Sequence, residues 1–496
     1  MFLALYARTP PSFLIKIGLA ASLAWLADLL IFDHRFGATL GVFALAVVLA
    51  AGLAHPALRT DRRAQIAGGA AVAFALLQIE TPSLLGWVLY WTALVVAVLS
   101  PRVRQGEDGW AWLQRLAFAA VAGWIAPLRD AVRFNHGTSR ACRSRTNLRR
   151  ILAGLVLPGV GGALFLLLFA SANPVIANAL TSLTFPPIDA PRLAFWLFAI
   201  FGAWSVLRPA RLRRPHRLGA RAGEALPPPV SGVSIALSLA VFNAIFALQN
   251  GLDIAFLWSG ARLPTGMTLA GYAHRGAYAL VASALLAGLF VLVCLRPGSA
   301  GARHALTRNL VVLWVGQNVF LVASSILRTL DYIDAYCLTP LRIAALAWMG
   351  LVATGLMLIC WRMLREKTSS WLIDANLLAA GLVLTIMSGV DLDAASAAWN
   401  VDHAREVGGR GAELDLCYLE NFGDAGLVSL ARLEQRDLPA AMKSNVAVLR
   451  SIAQDDLAKH QGDWRTWTWR GLRRLQAARA LPGYMNQTFQ AAPCED

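Results

Sequence analysis

Between Leu327 and Tyr336 the chain reads Leu-Arg-Thr-Leu-Asp-Tyr-Ile-Asp-Ala-Tyr, which sets one arginine, two carboxylates and two tyrosines between long apolar runs. Ionisable groups beside hydrocarbon are costly, so they face protein or a water-filled cavity and often mark function. If the segment is helical, Arg328, Asp331 and Asp334 form an i, i+3 row with neighbours about 5–6 Å apart. Two carboxylates that close repel each other unless a cation intervenes. Arg328, Arg275, Arg342 or a bound metal could be that cation. The simplest reading is an ion-pair network at a membrane boundary, with Tyr332 and Tyr336 in an aromatic belt. A ligand or metal site would add His274 and His403. Acid/base catalysis would use the carboxylates themselves.

These residues need elements to position them. The chain has 496 residues, of which 57% are hydrophobic and only 15% charged, with a mean hydropathy of +0.54. Soluble domains carry about 25% charged residues. The apolar residues fall into runs near the ~20 residues that cross a hydrocarbon core as helix, and the short alternating strands of a barrel are absent. The expected fold is all-α, a polytopic membrane protein with about eleven transmembrane helices. The spans read as 12–32, 37–55, 65–80, 83–100, 151–171, 192–208, 230–250, 276–295, 309–327, 340–361 and 371–392. The third and fourth, parted by Glu80-Thr81-Pro82, predict a tight helical hairpin.

The net charge of +16 does not point to nucleic acid, because of where it lies. Residues 393–496 hold 12 Lys+Arg and 14 Asp+Glu, a net of −2, so the remainder carries +18. Alternate loops before residue 393 hold 27 and 6 basic residues. The positive-inside rule then predicts a cytoplasmic N-terminus, and an odd number of spans puts the C-terminus in the periplasm. Four regions follow: 1–100 with four spans, a basic cytoplasmic loop 101–150, a seven-span core 151–392 and a small helical periplasmic domain 393–496. Trp110, Trp112, Leu113, Leu116, Phe118, Val121 and Trp124 predict an amphipathic helix lying on the inner leaflet.

In the tail, apolar spacing predicts helices over Glu413–Gln435, interrupted at Gly423 and Gly426, over Pro439–His460, and from a cap at Asp463 to Leu481. The last carries Trp464, Trp467 and five arginines, a composition that suits either a lipid-headgroup boundary or an ordinary core-plus-rim helix. Cys417 and Cys494 both fall outside on this topology and form a candidate disulfide in an oxidising compartment. No Cys/His spacing resembles a zinc site, and no cofactor is indicated.

The same topology gathers polar segments on one outer face. They are Gln249-Asn250-Gly251-Leu-Asp253, Tyr272-Ala-His274-Arg275-Gly-Ala-Tyr278, the opening segment, Trp399-Asn-Val-Asp402-His403-Ala-Arg405-Glu406 and the weaker Asn173-Pro174. The candidate ligand-binding set is Tyr272, His274, Arg275, Arg328, Asp331, Tyr332, Asp334, Tyr336, Arg342, Asp402 and His403.

Tyr272–Tyr278, Leu327–Tyr336 and Trp399–Ala404 resemble, in this order, motifs of an uncharacterised bacterial inner-membrane family, domain of unknown function 4173, with a sister family numbered 4153, and the earlier Ser171-Ala-Asn-Pro174 also fits. The resemblance covers roughly residue 151 to the C-terminus. It implies a bacterial, Gram-negative inner-membrane protein with a periplasmic tail, and it supplies no activity. The functional expectation is an outward-facing binding or sensing protein with membrane lipids, a periplasmic protein or a lipid-linked ligand as partner. A transporter is weakened by sparse mid-span polar residues, Asn243, Gln317 and Asn318 being the clearest. An enzyme acting on a lipid-linked substrate at the outer face is weakened by a first outer loop of only Asp33 to Phe36.

Overall fold

The computed structural model describes residues 11–141, 189–209, 232–259, 286 and 305–483. Among these every regular element is helical. The first group is α1 (Pro11–Leu30), α2 (Ala38–Ala54), α3 (Arg62–Glu80), α4 (Leu84–Leu99), α5 (Gly109–Ala141) and α6 (Ala190–Leu207). The second is α7 (Gly232–Asp253), α8 (Ala305–Tyr336), α9 (Pro340–Leu364) and α10 (Ser369–Gly389). The tail contributes α11 (Leu392–His403), α12 (Leu416–Glu420), α13 (Leu427–Leu433), α14 (Ala440–Gly462) and α15 (Trp469–Arg479).

Eight of the described helices are long and apolar enough to cross a membrane, against an expectation of eleven spans. The expected spans 151–171 and 276–295 lie outside the described residues. Two more, 37–55 and 65–80, are not among the eight: α2 has 17 residues, and α3 opens on Arg62-Arg63-Ala-Gln. The eight include Gly109–Asp130, which the sequence reading laid on a membrane surface.

The contacts of α5 explain that double character. Its start meets the first two turns of α10, where the Gly109 amide donates to Asp374 Oδ1 at 2.6 Å and Ser370 Oγ donates to Asp108 at 3.2 Å. Farther on, Arg115, Phe118 and Ala119 border a small void with Val95, Val98 and Leu99 at the end of α4. Gly123 then abuts Ser205 near the end of α6, and Asp130 accepts from Trp204 Nε1 and pairs with Arg208 at 3.4 Å. Successive turns of α5 therefore meet the ends of three different helices. It runs across one face of the bundle with Ala111, Arg115, Ala126 and Asp130 buried, while Val121, Ile125 and Leu128 stay exposed, as suits a helix whose outer side meets lipid.

The α3/α4 pair is the expected hairpin. Asp61 caps α3 by accepting from the Arg63 and Ala64 amides, and Ser83 caps α4 through the Gly86 amide. Buried Gln78 bridges the turn, donating to the Ser83 carbonyl at 3.1 Å and accepting from its amide at 2.8 Å. Helices α1–α4 and α6 share one apolar core around Ala44, Val47, Tyr90, Leu94 and Leu207; α7, α8 and α9 share a second around Leu239, Val311, Trp314 and Leu356.

The tail has its own core, with Val401, Leu419, Leu430, Leu433, Val446 and Leu449 in one cluster and Leu427, Leu457 and Leu475 in another. The glycine interruption was expected: Gly423 adopts φ +52°, which separates α12 from α13. The start of the last helix differs. It begins at Trp469 with Thr468 as its cap, while Asp463 caps a turn through the Arg465 amide at 3.0 Å. That turn is spent on docking. The Trp467 carbonyl accepts from the Ala38 amide at 2.7 Å, satisfying one of the orphan donors at the start of α2, and the Arg465 carbonyl accepts from Thr39 Oγ1 at 3.1 Å. The tail thus covers the start of α2, the α3/α4 turn and the end of α10, opposite the face crossed by α5.

Candidate functional site

Helix α8 does continue through Tyr336, so Arg328, Asp331 and Asp334 keep their i, i+3 spacing. They do not act as one group. Arg328 is 4% exposed and turned into the bundle, where its Nη2 donates to Asp253 Oδ1 on α7, a residue with no exposed surface. Gln249 also donates to Asp253, at 3.0 Å. The neighbouring turn, Ile254–Trp258, is a π-helix whose Trp258 Nε1 donates to Ser324 on α8 at 3.1 Å. Asn243 reaches the Leu310 carbonyl at 3.0 Å and Gln317 reaches Asn243 at 3.3 Å, so polar contacts continue along the α7/α8 seam.

Asp331 and Asp334 are exposed on the far turns of α8 and make no ion pair among the described residues. Tyr332 and Tyr336 stack on each other with centroids 4.8 Å apart. Arg342 lies over the Tyr332 ring at 4.3 Å and donates to the Tyr336 carbonyl at 2.7 Å and to the Cys337 carbonyl. It ties the α8–α9 turn, in which Cys337 takes φ +67°. Asn400 on α11 clamps the same turn through both the amide and the carbonyl of Leu338, at 2.6 and 2.9 Å. Asp402 pairs with Arg436 at 3.2 Å, and His403 stacks on Trp399 with its Nδ1 on the Trp399 carbonyl. Among the described residues, then, Asp402 and His403 join the tail and not the α8 carboxylates. Tyr272, His274, Arg275 and Cys494 lie outside the described residues. Cys417 is disulfide-bonded, and its partner also lies outside them; Cys337 and Cys360 are free.

A large concave feature among the described residues lies elsewhere. A cavity of about 1220 Å³ runs from under the tail to α5. Its shaft is walled by Phe43, Trp87, Trp91, Phe195, Phe198 and Trp124, with Leu116 and Ala120 of α5 at the far end. Its mouth is charged: Arg35, Asp424, His460, Arg470 and Arg474 line it together with Ser83, Gln461, Thr466 and Thr468. Gln317 and the α8 carboxylates are not in its wall.

Two charge groups meet at this mouth. On one side α15 presents Arg470, Arg473 and Arg474. Arg470 lies 3.5 Å from Glu80 and 3.6 Å from Asp391 and donates to the Gly389 carbonyl at 3.0 Å. Arg473 pairs with Glu80 and Arg474 with Asp391. On the other side the ligand atoms of Asp424, Asp456 and His460 lie within 4.8 Å of one another. Arg35 donates to His460 Nε2 at 2.9 Å and lies 3.7 Å from Asp456. Asp424 makes no hydrogen bond or ion pair among the described residues, and burial raises its carboxyl above the usual range against the pull of His460, Arg474 and Arg35. The Asp424, Asp456 and His460 donor set could hold a cation.

A family model described as Domain of unknown function (DUF4153) matches residues 64–433. The chain belongs to this family. The match is to the sister of the family named first from the motifs, and it runs from the start of α3 to the end of α13, leaving α1, α2, α14 and α15 outside. No curated protein and no solved structure matches the chain.

None of the mouth residues was in the sequence-derived set. The available signals were Glu80, alone between two apolar runs, and the Trp/Arg composition of 464–479.

Proposed function

We propose that this member of the family is a multi-pass protein of a bacterial inner membrane that binds a long-chain amphiphile at its periplasmic side. The observation that carries the reading is the cavity. At about 1220 Å³ it exceeds the roughly 300–1,000 Å³ of small-molecule sites. It is aromatic and aliphatic along its shaft and charged only at one end, as a chain with a polar head requires.

The loop charges support an orientation. Among the described residues the face crossed by α5 carries Arg62, Arg63, Arg102, Arg104, Arg208, Arg362 and Arg365, and the positive-inside rule then favours a cytoplasmic α5 and N-terminus and a periplasmic tail. A helix of 32 residues such as α8 is about 48 Å long and overruns a hydrocarbon core of about 30 Å. Its exposed Asp331 and Asp334 then stand beyond the lipid, where their charge costs little. Eleven spans, with the two outside the described residues among them, is the count this topology favours.

The test is tryptophan quenching in the full chain. Brominated lipid in the shaft quenches Trp87 and Trp91, and Ala199→Trp with Gly202→Leu, which fills the shaft, reduces lipid retained through purification. Equal retention by the filled variant and the native chain, both monodisperse, sinks the reading. A second reading, an enzyme acting on a lipid-linked substrate, is favoured by Asp424, Asp456 and His460 converging at the same mouth. It requires turnover of the bound lipid that stops in Asp424→Asn.

A further inference from the structure

We propose that the cavity holds a phospholipid whose headgroup carries both a phosphodiester and a primary ammonium, with the phosphate on the α15 arginines and the ammonium against Asp424. The inference rests on the amphiphile reading above and adds the chemistry of the head.

The mouth has two poles of opposite sign. Among the described residues three guanidiniums, Arg470, Arg473 and Arg474, form ion pairs with two carboxylates, Glu80 and Asp391, while Asp393 and Asp424 act on Arg474 without pairing with it. Each guanidinium has five N–H donors in a fork that matches phosphate oxygens. Arg470 and Arg474 belong to the cavity wall, so their remaining donors border the space where a head would sit. Across the mouth Asp424, also in the wall, is half-buried without a cation paired to it among the described residues, and Asp456 stands close by. A half-buried carboxylate favours an ammonium that donates to it.

The alternatives each leave one pole unmet. A purely anionic head satisfies the arginines and brings a second negative charge towards Asp424 and Asp456. A neutral glycolipid head leaves both poles without an opposite charge. A quaternary ammonium has no N–H donor for Asp424. A primary ammonium offers three donors to the two carboxylates. His460 already accepts from Arg35, so it orients the acidic pole and need not bind the ligand.

The shaft fits the rest of such a molecule. Taking about 30 Å³ for a water-sized group, 1220 Å³ has room for some forty of them, the scale of a long-chain lipid and not of a free headgroup. The charged rim and the apolar shaft lie in one continuous space.

The experiment equilibrates the purified full-length protein with vesicles containing equal parts of phosphatidylethanolamine, phosphatidylglycerol and phosphatidylcholine. It then counts the lipids retained by native mass spectrometry. The expected result is enrichment of phosphatidylethanolamine by about ten-fold over each of the others, the ratio that one charge-assisted hydrogen bond supports. Asp424→Asn removes that preference and leaves total retained lipid near the native level. Arg470→Gln with Arg474→Gln lowers retention of all three phospholipids. Preferential retention of phosphatidylglycerol, or equal retention of the choline and ethanolamine lipids, overturns the headgroup assignment. The shaft-filled Ala199→Trp, Gly202→Leu variant separates the two levels. If it loses bound lipid while the native protein shows no headgroup preference, the cavity reading stands and this inference fails. If it retains as much lipid as the native protein, both fail. Size-exclusion profiles of every variant exclude misfolding as the cause.

Discussion

Replacing Arg328 by methionine tests the best-buried ion pair in the helix bundle. Its partner Asp253 has no exposed surface and the Arg328 side chain is 5% exposed, so solvent screens little of the interaction. Two magnitudes compete. Polar contacts between membrane helices average about 0.6 kcal/mol, because the unfolded chain in a membrane finds other partners. Removing one member of a fully buried ion pair costs about 3–5 kcal/mol, because a charge is left in a poor environment. The burial of both side chains selects the larger figure. Arg328→Met and Asp253→Leu are each expected to cost about 3–5 kcal/mol, while the double variant, with both charges removed, returns to within about 1 kcal/mol of the native protein, since apolar replacement of a buried pair is often neutral. The assay is reversible unfolding of the full chain in mixed micelles with increasing fractions of sodium dodecyl sulfate. If one single variant fails to fold and the double variant folds, coupling is established as well. Single costs near 0.6 kcal/mol, or a double cost equal to the sum of the singles, would refute the assignment of Arg328 as a structural pair and return it to the list of ligand-binding residues.

Three further outcomes are expected. A Cβ on Gly37 would lie 2.3 Å from the Arg465 carbonyl oxygen and 2.6 Å from the Thr466 carbonyl carbon, so Gly37→Val should weaken tail docking by about 1–3 kcal/mol, read as faster limited proteolysis between α10 and α11; unchanged cleavage would count against the docking geometry. Arg450, 6% exposed, pairs with Glu434 and donates to the carbonyls of Ala478, Leu481 and Pro482, so Arg450→Met should destabilise the tail by about 3–5 kcal/mol and raise amide exchange in α15 before α11; uniform exchange across the tail would contradict this. His55, 9% exposed, holds the Val206 carbonyl at 3.0 Å between the ends of α2 and α6, so His55→Leu, which leaves that carbonyl without its side-chain partner, should cost about 1–3 kcal/mol; an unfolding midpoint equal to the native one would contradict this.

What the sequence reveals depends on how local the determining interaction is. Apolar runs of helix length state their own structure, and Glu80-Thr81-Pro82 marks a hairpin because a proline and a short polar break leave no other path. Asp463 outranks Thr468 as a local cap signal; only the bond from Ala38 to the Trp467 carbonyl shows why the intervening turn exists. Arg328 was read with its own helix neighbours, since an i, i+3 row is visible in one dimension. Asp253, 75 positions away, is not. The cavity is less legible still. Arg35, Glu80, Asp391, Asp424 and Arg474 come from separate elements, and each taken alone reads as a loop charge that sets topology.

The charges that the fold does bring together lie along the seam between tail and bundle, and their stoichiometry is uneven. The contacts that hold α15 over the α3/α4 turn and the end of α10 use three arginines against two carboxylates. An apolar seam would have fixed the tail without this imbalance, as the core of α11–α14 shows with Leu419, Leu430 and Leu449. Arg474 also feels Asp393 and Asp424, but neither forms an ion pair with it among the described residues. Guanidiniums with donors to spare are held more tightly when an anion enters, and the open side of Arg470 and Arg474 is the cavity. On the headgroup proposal the lipid phosphate is that anion. Ligand binding and tail docking then share the same guanidiniums, so each stabilises the other by linkage. Filling the shaft should loosen the tail, and prying the tail away with Gly37→Val should weaken lipid retention, although Gly37 itself is not in the cavity wall.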